Sequence, residues 1–420
     1  MKKIFPILFA CTLLSCGSGS LGQLPVSPAV PLPVQSEPKS SVGEKLQPFV
    51  FEDQGDFIHG SMPIGLEPLP SGNWLIITRD GHVVLMDKDF LNIAHDFIPT
   101  NTYWDSGLMS VVLDPDFSNN GFAYFYFTSP DSDGPCEEVF CNTLVKFRID
   151  ESSDLILKDR QELIKIPMMN RQGQHNGGGM IMGSDGLIYL GVGDGGFYDG
   201  PNAAQDENSL LGKILAIDPS GINPPIIAAM GVRNPFTMSL IPGRGLLIGD
   251  VGAETFEEIN FLSFDASILN FGWPIEEGPV VDSNFSQPIF AYKHCDETPK
   301  DEDPFGHDAV VSKSLTVKFH QGVVHACDGN VLTSIGFYPE TDNDPYNGQL
   351  KNTAIYSEIY YGFVRGLTIN SDGSASNDRH LAHSSGITAA RIGPDGYLYA
   401  VSIIGTNHVL KLIPNPEAAQ

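Results

Sequence analysis

Five short segments between residues 174 and 274 gather side chains that can move protons and hold oxyanions. They read Gln174-His175-Asn176-Gly177-Gly178-Gly179, Gly191-Val192-Gly193-Asp194-Gly195-Gly196, Gly231-Val232-Arg233-Asn234-Pro235, Asp250-Val251-Gly252-Ala253-Glu254 with Glu257-Glu258-Ile259-Asn260, and Asn270-Phe271-Gly272-Trp273-Pro274. Histidine ordinarily titrates nearest neutrality, which makes His175 the candidate base for taking a hydroxyl proton while hydride leaves the adjacent carbon. Asp194, on the next Gly-rich turn, is the candidate that orients the imidazole. The glycines around His175 leave room for a flat ligand to approach. Arg233 is a fixed cation whose planar fork suits a carboxylate or a developing oxyanion, and Asn234 stands beside it. Each has a structural alternative: a turn histidine with a local hydrogen bond, ordinary Asp-Gly turn chemistry, and an Arg-Asn corner that pins carbonyls.

In that order the segments resemble the soluble quinoprotein glucose/sorbosone dehydrogenases, over roughly residues 50 to 413. The resemblance is most specific between residues 175 and 278. It implies a β-propeller, pyrroloquinoline quinone and calcium as cofactors, and oxidation of an aldose to its lactone. It further implies His175, Asp194 and Arg233 as catalytic residues, with Arg233, Asn234 and the position of Asp105 at the quinone. A calcium that polarises the quinone would sit on the carbonyls of Gly252 and Ala253, and a second, structural calcium near Glu258 and Phe271.

The chain departs from the family pattern at the far side of the cofactor. Gly386 and Thr388 stand where the family places two arginines that grip the quinone's carboxylates. Each lost contact is worth about 1.5–3 kcal/mol. Asp105 replaces a glutamine before Gly107-Leu108-Met109, and no lysine matches near Glu358-Ile359-Tyr360. Arg365 and Arg391 are the cations that could compensate. Two other readings stay open. One is a non-catalytic propeller that has lost the quinone site and binds a carbohydrate or protein partner; the other is a lactonase-like hydrolase using Asp194 and Glu258.

The elements that must position these residues are strands. From residue 47 onward no long amphipathic helical period appears, whereas short runs rich in Val, Ile, Leu, Tyr and Phe end in Gly, Asp, Asn or Pro. A turn joining two apolar runs recurs at Leu69-Pro70-Ser71-Gly72-Asn73, Gly183-Ser184-Asp185-Gly186 and Gly393-Pro394-Asp395-Gly396. Its spacing predicts an all-β, six-bladed propeller of four-stranded antiparallel blades over residues 47–415, with seven blades as the alternative count. An insertion over about 279–335 would form a disulfide-stapled loop over one face.

Ahead of this body, Lys2-Lys3, an apolar run from Ile4 to Leu14 and Leu13-Leu14-Ser15-Cys16 resemble a bacterial lipoprotein leader. Residues 1–15 would then be a signal peptide and 16–46 a Pro/Gly/Ser-rich tether on a lipidated Cys16, anchored to a membrane on its periplasmic or cell-surface side. In an oxidising compartment the remaining cysteines are expected to pair by proximity, Cys136 with Cys141 and Cys295 with Cys327. With 51 acidic against 24 basic residues the chain carries a formal charge of -27, which argues against nucleic acid and anionic lipid surfaces as partners. A sugar substrate and an external electron acceptor are the expected partners.

Overall fold

Strand-forming runs that are apolar at nearly every position need cover on both faces, and radially stacked sheets supply it. The computed structural model describes residues 47–418 apart from 58, 131–135, 138, 169–172, 197–202, 254, 295–316, 319–322, 330, 360–361 and 404–406. For 317–318 and 323–329 only the backbone is described. The leader with Cys16, and the Cys295–Cys327 pairing, lie outside the described residues.

The described strands form six sheets. Blade 1 comprises Pro63–Pro68, Trp74–Thr78, His82–Met86 and Asn92–Phe97, and blade 2 Leu108–Leu113, Phe122–Ser129, Cys141–Ile149 and Leu157–Pro167. Blade 3 is built on Met180–Met182, Ile188–Val192, Lys213–Ile217 and Ile226–Met230, and blade 4 on Pro235–Ile241, Gly245–Asp250, Phe256–Ser263 and Phe290–His294. Leu332–Tyr338, Thr353–Glu358, Phe363–Ile369 and Ala375–His383 make blade 5, and Ile387–Ile392, Leu398–Ser402 and His408–Pro414 most of blade 6. The fourth strand of blade 6 is Phe49–Asp56, antiparallel to His408–Pro414, so the two ends of the propeller close the ring together. The first strands of successive blades pack on one another around the axis, blade 6 returning to blade 1.

Two sheets exceed the four strands expected. Leu269–Asn270 adds to blade 3 parallel to Ile226–Met230. Val323–Gly329 adds to blade 4 parallel to Phe290–His294, and Val317–Lys318 pairs with it. Phe290–His294 and Leu332–Tyr338 are themselves regular blade strands. The insertion therefore begins after residue 294, and part of it extends a sheet edge.

Six apolar clusters fill the six seams between blades. Between blades 1 and 2, for instance, Leu75, Ile77, Val83 and Leu85 meet Val111, Phe125 and Val145. Full burial of such a side chain stabilises by roughly 1.5–3 kcal/mol, so the seams, more than the turns, hold the ring. The repeated turn sets strand register. Gly186 and Gly396 take φ of +82° and +83°, and Asp185 and Asp395 accept the hydroxyl protons of Tyr189 and Tyr399 at 2.9 Å.

Candidate functional site

Loops that lead into first strands and loops that follow second strands meet at one end of the propeller. His175 precedes the first strand of blade 3, Asp194 follows its second strand, and Arg233 and Asn234 precede the first strand of blade 4. This brings together the residues singled out in the sequence. All three of His175, Arg233 and Asn234 are buried.

The imidazole is held from both sides. His175 Nδ1 lies 2.7 Å from Asp194 Oδ1, and Arg233 Nη2 lies 2.9 Å from His175 Nε2. A guanidinium only donates, so Nε2 must present its lone pair and Nδ1 must carry the proton given to Asp194. That is the tautomer a base needs. His175 pays for its place with a φ of +49°, a region that costs a non-glycine residue about 1–3 kcal/mol and persists where surrounding contacts over-determine it.

Asp194 also accepts the Gly196 amide at 2.8 Å and the Trp273 indole N–H, on Oδ2, at 2.7 Å. Burial pushes its carboxyl upward, but His175, Arg233 and the Gly196 amide more than offset this and hold it below the ordinary aspartate value. Arg233 Nη1 donates to Val251 O at 2.9 Å, and its guanidinium lies 5.5 Å from the Trp273 ring centroid. Asn234 Oδ1 accepts the Gly177 amide at 2.9 Å. Asp105 lies in the site too, Oδ2 accepting the His175 amide at 3.4 Å. Burial raises its pKa against the opposing pull of His175, Arg79 and Arg233.

The glycines serve a purpose other than the one expected. A Cβ on Gly193 would stand 1.9 Å from His175 O, and one on Gly177 would stand 2.2 Å from Gly191 O. Two backbone loops press against each other here, so the missing side chains admit neighbouring chain rather than a flat ligand.

Beside Arg233, a group of carboxylates is buried. Asp250 accepts the Arg233 and Asn234 amides at 2.9 and 2.7 Å, yet burial pushes it up to about 7. Glu258 is pushed up to about 8 by burial, with Asp250 and Glu277 adding repulsion. Glu277 Oε1 accepts the Ala253 amide at 2.7 Å and the Thr255 amide at 3.1 Å, while Gly252 N–H donates to Glu257 at 3.2 Å. Asn260 gives Nδ2–H to Glu258 at 3.1 Å, and its buried Oδ1 has no partner. Acids raised by burial beside an orphaned carbonyl oxygen suit a hard cation, which supplies the missing counter-charge. Among the described residues, side chains alone do not gather three metal ligands here, so backbone carbonyls such as those of Gly252 and Ala253 would have to complete the set. No described contact joins Phe271 to Glu258; the Phe271 amide donates to Met230 O at 2.9 Å and its ring packs in the seam between blades 3 and 4.

The cations proposed to replace the two missing arginines are committed elsewhere. Arg365 ties Asp378 and His380 between the outer strands of blade 5. Arg391 donates to Glu67 at 2.7 Å near the far ends of the first strands of blades 6 and 1. Thr388 gives its hydroxyl to Pro63 O at 2.6 Å. Arg79 does reach this end of the propeller, where its guanidinium donates to Thr102 O at 2.9 Å and to Trp104 O, bracing the loop that carries Asp105.

Cys136 and Cys141 form the expected disulfide, which ties the loop between the second and third strands of blade 2. The role of Trp273 emerges only in the fold, as do those of Gln205, which donates to Asn270 Oδ1 at 3.0 Å and to Trp273 O at 2.7 Å, and Lys213, whose ammonium caps the carbonyls of Ala203, Ala204 and Leu211. Their only signal was a polar residue in a run that reads as buried strand or tight loop.

A model of the glucose/sorbosone dehydrogenase family matches residues 61–405. The HIPL2 protein of Arabidopsis thaliana is 30% identical over 219 residues, covering 44% of this chain but only 28% of that protein's own length. The aldose sugar dehydrogenase YliI of Escherichia coli is 24% identical over 374 residues, 84% of this chain and 90% of its own. The PQQ-bound form of the aldose sugar dehydrogenase from Streptomyces coelicolor superposes with a TM-score of 0.66 at 20% identity, over 87% of this chain and 97% of its own, a likeness of fold.

Proposed function

The chain belongs to the glucose/sorbosone dehydrogenase family, and from that premise we propose that it oxidises an aldose at its anomeric carbon to the lactone. The observation that carries this reading is the His175 imidazole held between Asp194 at Nδ1 and Arg233 at Nε2, which leaves Nε2 unprotonated. His175 takes the anomeric hydroxyl proton at Nε2 while the anomeric carbon gives up a hydride, a two-electron oxidation that leaves the carbonyl of the lactone. Asp194, 2.7 Å from Nδ1, stabilises the imidazolium that forms. Arg233 gives up its contact with Nε2 to the incoming hydroxyl and keeps its hold on Val251 O. Buried Arg233 and the half-buried Trp273 ring, 5.5 Å from its guanidinium, wall one side of the proton's path.

Pyrroloquinoline quinone, when bound, supplies the acceptor for the hydride, and Arg233, Asn234 and Asp105 are the residues that would line it. Calcium would be held by the carbonyls of Gly252 and Ala253 and by the carboxylate group around Glu258. The reactive end suits the quinone; the opposite end, with Gly386 and a committed Thr388, predicts weak retention. The leader supports an exported protein anchored through Cys16, passing electrons to an external acceptor.

The test is calorimetric titration of the calcium-loaded mature domain with the quinone, followed by dye-linked oxidation of an aldose panel with His175→Ala as control. Saturable binding with turnover that needs His175 supports the reading. Absence of binding up to about millimolar quinone, where binding free energy falls to roughly 4 kcal/mol, overturns it in favour of a non-catalytic surface propeller that binds a carbohydrate or protein.

A further inference from the structure

Three histidines meet on the outer part of blade 1, with no described contact to His175. His82 opens the third strand and His95 lies on the fourth; with His82 opposite Phe97 and His95 opposite Val84, the two share a face. His82 Nδ1 and His95 Nε2 stand 2.9 Å apart. His59 arrives on the segment leaving Phe49–Asp56, and its ring stacks on His95 with centroids 4.1 Å apart and planes 14° apart. The His59 and His82 centroids are 6.4 Å apart. A cavity of about 340 Å³ opens beside the group, lined by His59, Asn92, Ile93, Ala94, His95 and Asp154.

His82 and His95 already present a two-nitrogen ligand pair, whereas the stacked His59 does not bring its nitrogen to the same point as placed and would have to turn to complete a set of three. Two imidazoles bound to one ion at about 2.0–2.1 Å have donor nitrogens roughly 2.9–3.4 Å apart, the separation already present between His82 and His95. No described carboxylate forms an ion pair with any of the three rings, unlike His408, which contacts Asp53 at 2.8 Å and Asp56 at 2.9 Å. Imidazole nitrogens favour zinc and copper over calcium or magnesium.

We propose that His59, His82 and His95 form a binding site for a late first-row divalent cation, of the zinc or copper class, that clasps the segment after the closing strand to blade 1. The ion takes the place of the proton shared between His82 and His95, and that proton moves through solvent to the donor ring's other nitrogen. His59 turns within its stack to offer the third nitrogen, and the remaining position faces the cavity, where water completes the set.

The experiment is titration of the chelator-stripped mature domain with copper(II), read by electron paramagnetic resonance, and with zinc(II), read by calorimetry and thermal unfolding. The expected result is one equivalent bound with nitrogen splitting from at least two imidazoles, and a rise in melting temperature. His82→Gln/His95→Gln should weaken binding by about 30-fold or more and His59→Ala by roughly tenfold, while His408→Ala and His175→Ala leave it unchanged. Should the double variant not fold, the His59→Ala arm still decides, being a loop substitution. Lack of saturable binding below about 100 µM, a spectrum of oxygen ligands, unweakened binding in the histidine variants, or loss of binding in His408→Ala would overturn the proposal.

Discussion

Replacing Asp194 by Asn leaves the volume of the side chain and removes its charge. In the native site both carboxylate oxygens accept hydrogen bonds: Oδ1 from His175 Nδ1 and the Gly196 amide, Oδ2 from the Trp273 indole. An amide has one accepting oxygen. With that oxygen toward His175 the tautomer survives, but the new NH2 faces the Trp273 N–H, donor against donor. Reversed, it faces two donors and forces Nε2 to carry a proton against Arg233. The first arrangement is therefore expected, at the cost of the charge that stabilises the imidazolium, about 1.5–3 kcal/mol, plus an unsatisfied buried donor of about 1–3 kcal/mol. At 1.36 kcal/mol per tenfold the lost charge should lower kcat by roughly 10–10², while the unsatisfied donor, present in ground and transition states alike, lowers the melting temperature instead. Trp273→Phe removes the opposing donor and should partly restore the melting temperature of Asp194→Asn in the double variant. Dye-linked steady-state oxidation of the best aldose and thermal unfolding of all four proteins check this. Loss of less than tenfold in kcat for Asp194→Asn, or additive losses of melting temperature in the double variant, would refute the reasoning.

Other consequences follow from the same geometry. Asp250 and Glu258 have folded pKa values raised to about 7 and about 8, so the folded chain holds protons that the unfolded chain releases above about pH 4. Their contribution to stability is complete below that range and is lost as pH rises through about 8; the chelated protein's melting temperature should fall over that window, and Glu258→Gln should flatten the slope. Calcium needs both carboxylates ionised, so its binding should release about two protons at pH 6 and almost none at pH 9.5, measured by calorimetry in buffers of different ionisation enthalpy; a constant release would count against the site. Gly193→Ala must move the His175 carbonyl that lies 1.9 Å from the new Cβ, and should cost about 1–3 kcal/mol in denaturant unfolding together with most activity; native stability and turnover would show the loop contact to be unimportant. Replacing Cys136 and Cys141 by Ser opens a short loop and should cost about 2 kcal/mol, read from the unfolding midpoint under non-reducing conditions.

Much of the fold and of the site could be read along the chain because its signals are local. Asp-Gly turns with positive φ at Gly186 and Gly396, followed by runs apolar at every position, already demand stacked blades, and a proton acceptor, a carboxylate and a guanidinium within sixty residues already suggest hydroxyl oxidation. Proximity was also enough to pair Cys136 with Cys141. What depends on register and facing was decided only in three dimensions. Arg365 and Arg391 look equivalent to any other cation in sequence, but strand alternation turns one toward Asp378 and the other toward Glu67. The proton on His175 is set by Arg233, 58 residues away, and the second oxygen of Asp194 by Trp273, 79 residues away. The closing strand Phe49–Asp56 finds its partner only because six blades of fixed twist bring residues 408–414 back to it. Residue types and turn chemistry thus determined which groups are available for chemistry, while the closure of the ring determined which of their atoms face one another, since hydrogen-bond direction is a property of neighbours and not of the chain.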